Sequence, residues 1–113
     1  MKSINVLKRE SQIKQLIASI IMNDLTNSNI YNPTLIDCEL SADLSHVKVF
    51  MAFEDKELAG LEALKNASGY IRKILSKSLN WRKVPEIHFY IDEVEKEGQK
   101  INRILEMIKN EQK

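Results

Sequence analysis

The sequence predicts an α+β domain in which helices cover one face of a three-stranded sheet. Three observations carry that prediction. Three short segments alternate apolar and polar residues with a period of two, so each has one apolar and one mixed face. Longer segments before, between and after them repeat apolar residues at three- and four-residue spacing, as helices with a single buried stripe do. The chain has 113 residues, 43% apolar and 29% charged, which fits one soluble domain that buries roughly two-thirds of its unfolded surface.

Residues 3–27 read as the first helix, with Ile13, Leu16, Ile17, Ile20 and Ile21 on one face. The turn formers of Asn27-Ser28-Asn29-Ile30-Tyr31-Asn32-Pro33 end it, and Pro33 disfavours helical geometry just before itself. The first strand sets Ile36, Cys38 and Leu40 against Asp37, Glu39 and Ser41. Ala42-Asp43-Leu44-Ser45 is short enough to make the second strand its antiparallel partner. That strand turns Val47, Val49, Met51 and Phe53 inward and His46, Lys48 and Phe50 outward.

Asp55 is the expected N-cap of the next helix, whose stripe is Leu58, Leu61 and Leu64. A further helix buries Ile71, Ile74, Leu75 and Leu79 and presents Tyr70, Lys73 and Lys77 on its other side. Trp81-Arg82-Lys83 descends into Pro85, after which a third strand sets Ile87, Phe89 and Ile91 against His88 and Tyr90. Asp92, with Glu95 three residues on, resembles a capping box opening a C-terminal helix along Val94, Ile101, Ile104, Leu105 and Ile108. No repeat or linker divides residues 1–113, so a single, monomeric domain is expected.

No apolar run reaches membrane-spanning length, and MKSINVLKRE is not a signal peptide. Cys38 is the sole cysteine, which excludes an internal disulfide and fits a reducing, cytoplasmic setting. The net charge of +1 hides a segregation: residues 61–85 carry Lys65, Arg72, Lys73, Lys77, Arg82 and Lys83 against Glu62 alone. Residues 16–60 are net −5 and residues 1–15 net +3. A concentrated basic block in a neutral chain suggests either a face for an anion or a solvated helix surface.

Catalysis has no visible machinery. Cys38 falls on the core face while His46 and His88 point outward, and none has a partner at a metal-ligand spacing, so no metal or cofactor is expected. Gly-rich phosphate loops are absent. The acids Glu93, Glu95 and Glu97 suit the start of a helix and need no catalytic explanation. The outer sheet face, with His46, Phe50, His88 and Tyr90, remains a candidate protein-contact surface.

Nucleic-acid binding is better supplied. Six cations between residues 65 and 83 are interleaved with Tyr70 and Trp81, which combines phosphate contacts with rings able to stack on bases. For Trp81, core beneath the loop is the favoured role over stacking. Between the two middle helices stands Ala67-Ser68-Gly69, where glycine costs about 1 kcal/mol relative to alanine in a helix. Such a glycine marks a kink or a close approach of backbone to a ligand. The KH module binds single strands with a G-x-x-G loop between two helices, and the element order here is that of its second topology.

Four motifs then recur in order: Ser41-Ala42-Asp43-Leu44, Lys48-Val49, Leu64-x-x-Ala67-Ser68-Gly69-x-Ile71-Arg72, and Arg82-x-Val84-Pro85-Glu86-Ile87-x-Phe89-x-x-Asp92. With these the chain resembles the bacterial ribosome-binding factor A family from about Leu40 to Ile108. The resemblance implies a KH-like domain whose junction is Ala-x-Gly, contacting RNA through Ala67, Ser68, Gly69 and Arg72. It implies a non-catalytic factor that binds the rRNA of the immature small ribosomal subunit, assists its late maturation and 5′-end processing, and leaves before translation. Charge and expected exposure add Lys65, Lys73, Lys77, Arg82 and Lys83. A generic single-stranded RNA binder using the same face is the alternative. The loop Asn32-Pro33-Thr34 departs from the Asp-Pro-Arg common in the family, and Trp81 stands where an aliphatic residue is usual.

Overall fold

Ser3 opens the first helix: its hydroxyl accepts the Val6 N–H at 3.2 Å, satisfying one of the amides that a helix start leaves without an internal partner. The helix, α1 (Ile4–Asn23), closes with the Asp24 N–H on the Ile20 carbonyl, four residues short of the expected end. The computed structural model describes residues 2–25 and 29–93. The expected C-terminal helix beyond Asp92, with Val94 and Ile101–Ile108, lies outside them.

Two strands follow, β1 (Thr34–Leu40) and β2 (His46–Ala52), paired antiparallel as their short turn requires. That turn is held by its own side chains. The Asp43 carboxylate accepts from the Ser41 hydroxyl at 2.7 Å and from the Ser45 hydroxyl and amide at 2.6 and 3.1 Å, while Leu44 takes a left-handed φ of 65°. A crossover then passes through α2 (Glu57–Asn66) and α3 (Ser68–Ser78) to β3 (Glu86–Ile91), which pairs parallel to β2. The sheet order is β1-β2-β3, so β3 is an edge strand. This order of elements, with one antiparallel and one parallel pair, is the second KH topology expected from the sequence.

One apolar cluster joins the layers. Ile13 and Ile17 of α1, Val47, Val49 and Met51 of β2, Leu64 of α2 and Ile71 and Leu75 of α3 are fully buried within it. On the other face of the sheet His46, Lys48 and Tyr90 are exposed, so the described helices cover one side only. Among the described residues no polar or charged side chain is buried.

Three expected details differ. Ile36 is not in the core: a bulge between Leu35 and Asp37 shifts the register, and Leu35 packs inward in its place. Leu58 is 78% exposed, because it lies about 120° around α2 from the buried Leu64. The buried side of α2 is instead Gly60 and Leu64, flanked by Leu61. Asp55 is not the cap of α2; Lys56 holds that position with φ 50° and no side-chain cap, while the Asp55 carboxylate takes the Lys56 N–H at 2.8 Å.

Candidate nucleic-acid interface

Ala67 both closes α2 and opens α3. Its backbone stays right-handed (φ −87°, ψ −2°), and its N–H is shared between the carbonyls of Ala63 and Leu64 at 3.0 and 3.1 Å. The kink is therefore a one-residue interruption of the helical ladder with no strained backbone. Ser68 fastens it from the side, its hydroxyl donating to the Lys65 carbonyl at 2.8 Å.

Gly69 is the second residue of α3, not the kink itself. Its φ is not positive, and a Cβ built there meets nothing within 4 Å among the described residues. Neither its backbone conformation nor packing against the described residues requires glycine at this point. What glycine does is leave the first turn of α3 bare, where helix amides lack internal partners. A sugar-phosphate backbone can approach such a surface closely.

A groove of about 280 Å³ runs beside the junction, lined by Lys65 and Ser68 on one wall and Ile87, His88, Phe89 and Tyr90 of β3 on the other. Tyr90 is 43% exposed and stacks on Phe50 with centroids 5.8 Å apart, which holds its ring against the outer sheet face. His88 and Tyr90 share the outer sheet face with His46 and Phe50 and, because β3 is the edge strand, also line this groove.

The remaining cations fall into two groups. Lys73 and Lys77 are exposed on α3, as their spacing predicts. Arg82 and Lys83 line a second cleft of about 600 Å³ with Arg9, Gln12, Asp43, Leu44, Asn80 and Trp81. Trp81 is half-buried and packs against the core, while the Arg9 guanidinium lies 5.2 Å from its ring centroid. Arg9 was missed as a site residue, although the net +3 of the first fifteen residues signalled a second basic source. Asp43 faces the same cleft as a fixed anion: hydrogen bonds from Ser45 and Ser41 hold its carboxyl well below the usual carboxylate range. Arg72 is tied down, its Nη2 donating to the Val84 carbonyl at 2.9 Å.

The Cys38 thiol is 1% exposed, and burial pushes it up to about 12, so it rests as an apolar core group and not as a nucleophile. No helix among the described residues is long and apolar enough to cross a membrane.

Comparison with known proteins agrees with this fold. The ribosome-binding factor A family description matches residues 5–105. A ribosome-binding factor A of Mycoplasmopsis agalactiae is 68% identical over 111 residues, covering 98% of each chain. That of Mycoplasmopsis pulmonis is 42% identical, covering 98% of this chain and 99% of the relative. The crystal structure of ribosome-binding factor A from Thermus thermophilus superposes with a TM-score of 0.73 at 24% identity, over 76% of this chain and 93% of that one, a likeness of fold. Coordinates of the Thermus thermophilus factor fitted into a cryo-EM map of a 30S complex align with a TM-score of 0.65 at 26% identity, over 73% and 89% of the two chains. With a family match across most of its length and relatives this similar, the chain belongs to the ribosome-binding factor A family.

Proposed function

We propose that this chain is an assembly factor that binds rRNA of the unfinished small ribosomal subunit, without catalysis, and assists its late maturation and 5′-end processing. The observation that carries the reading is the groove between the α2–α3 junction and β3, with Lys65 and Ser68 facing His88 and Tyr90. Lys65, Lys73 and Lys77 meet phosphates, the bare turn at Ala67, Ser68 and Gly69 meets the sugar-phosphate chain, and Tyr90 offers a ring to a base. Arg72 supports the junction and uses its remaining N–H groups towards RNA. Arg82 and Lys83 extend the basic surface into the second cleft. The Thermus thermophilus relative fitted in a 30S complex supports the choice of partner.

Such a factor works by occupancy: it biases an assembling particle only through different affinities for its immature and mature states. Gradient co-sedimentation of the monomeric protein with immature and mature small subunits tests this. Preference for one of them is expected; equal binding to both would leave only a generic single-stranded RNA binder.

A further inference from the structure

The sequence contains two histidines, 42 positions apart, and the fold brings them together. His46 begins β2 and His88 sits two residues into β3; the parallel register sets His46 opposite Glu86 and Lys48 opposite His88. On the exposed sheet face, His46 Nδ1 lies 3.0 Å from His88 Nε2 and 3.6 Å from Glu86 Oε2. One ligand atom from each of the three residues lies within 4.8 Å of the others. The expectation of no metal site rested on spacing along the chain, and a parallel strand pair defeats that criterion.

We infer that His46, Glu86 and His88 form a surface site for a divalent transition-metal ion of the zinc type. The donor set selects the ion class, since imidazole nitrogen with one carboxylate suits zinc and its neighbours, whereas magnesium and calcium take oxygen ligands. Two of the three ligand separations fit as they stand. Bonds of roughly 2.0–2.1 Å at tetrahedral angles place ligand atoms about 3.3 Å apart, and the observed 3.0 and 3.6 Å bracket that value.

The Glu86 N–H donates to the Ser45 carbonyl at 2.9 Å and the His46 N–H to the Ser41 hydroxyl at 3.0 Å, which anchors the two strand starts that carry these donors. Rotation of the exposed side chains closes the remaining separation, already within 4.8 Å. Lys48, the cation directly across from His88, faces Glu39 on its other side. Three protein ligands leave a coordination position open to water or to a group brought by a partner. A bound ion also ties the start of edge strand β3 to β2, next to the groove that His88 lines. The inference stands on this cluster alone and does not need the RNA reading.

The test is calorimetric titration of ZnCl₂ into the full chain, purified without a polyhistidine tag and stripped with chelator. One ion per chain is expected, with Tm raised by about 5 °C at zinc tenfold above the dissociation constant. His46→Ala and His88→Ala each weaken binding at least ~10-fold and the double variant abolishes it, because loss of one of three ligands leaves too few. Melting the variants without zinc reports whether they fold. The unaltered chain supplies a readout free of variants: zinc shifts the imidazole NMR signals of both histidines. Absence of binding at millimolar zinc, unmoved imidazole signals, or full binding by a folded double variant would each overturn the site and leave only a hydrogen bond between the two rings.

Discussion

The Arg72 guanidinium, on α3, donates a 2.9 Å hydrogen bond to the carbonyl of Val84, one residue before Pro85. Pro85 is fully buried and leads directly into β3, so this bond fixes the loop that delivers the edge strand to the groove. Arg72→Ala is therefore expected to lose about 1 kcal/mol of stability as well as RNA affinity. Lys73→Ala, on the exposed side of the same helix, loses affinity alone. Denaturant unfolding beside small-subunit co-sedimentation separates the two; equal stability of both variants would remove the structural role of Arg72.

Gly60 and Gly69 make opposite predictions. A Cβ on Gly60 comes within 2.7 Å of the Phe53 ring, whereas one on Gly69 touches none of the described residues. Gly60→Ala is expected to cost about 1–3 kcal/mol by overpacking α2 against the end of β2. Gly69→Ala is expected to raise stability by up to about 1 kcal/mol, through better helix propensity, while weakening RNA binding by covering the bare turn. Thermal melts and RNA titrations on both variants check this. Undiminished binding by Gly69→Ala would show that no RNA backbone approaches there.

Phosphate contacts and stacking differ in their response to salt. On single-stranded RNA each phosphate contact contributes about 0.7 to the log–log salt slope. Replacing Lys65, Lys73 and Lys77 together by alanine should flatten that slope by about 2, and Arg82→Ala with Lys83→Ala by a further ~1.4 if both clefts hold RNA. Tyr90→Ala should lower affinity by about 1–3 kcal/mol with the slope unchanged, as lost stacking does. An unchanged slope in the lysine variant would sink the basic-face reading.

Periodicity made the fold class readable, and the misses have physical causes. Leu35 and Ile36 are equally apolar neighbours; only the bulge opposite Met51 and Phe50 decides which faces the core, and alternation assumes there is none. Leu58 fits a three-residue stripe with Leu61, but close packing of Gly60 on Phe53 turns the helix face away from it. The exposed cations around the junction were legible because charge is written in the chain. The second wall of the groove was not: His88 and Tyr90 meet Lys65 and Ser68 only once β3 takes the sheet edge beside the junction.

Cys38 gives a pH test of the core beneath that sheet. Burial pushes its thiol from the ordinary 9.0 up to about 12, with Lys14 pulling the other way and Asp37 and Glu10 adding to the rise. The folded state thus keeps a proton that the unfolded chain releases. The stability this group contributes is fully present below pH 9 and is lost as pH rises towards 12. Lysine and tyrosine ionisation affects the whole chain in the same range, so the informative quantity is the difference between the native protein and Cys38→Ala. Melting both from about pH 7 to about pH 11 should give curves that converge above pH 9, as the native protein loses the thiol's share and the variant has none to lose. The same burial predicts that thiol reagents label Cys38 only as fast as the domain opens. Parallel melting curves with rapid labelling in native buffer would place Cys38 outside the core and contradict the β1 register.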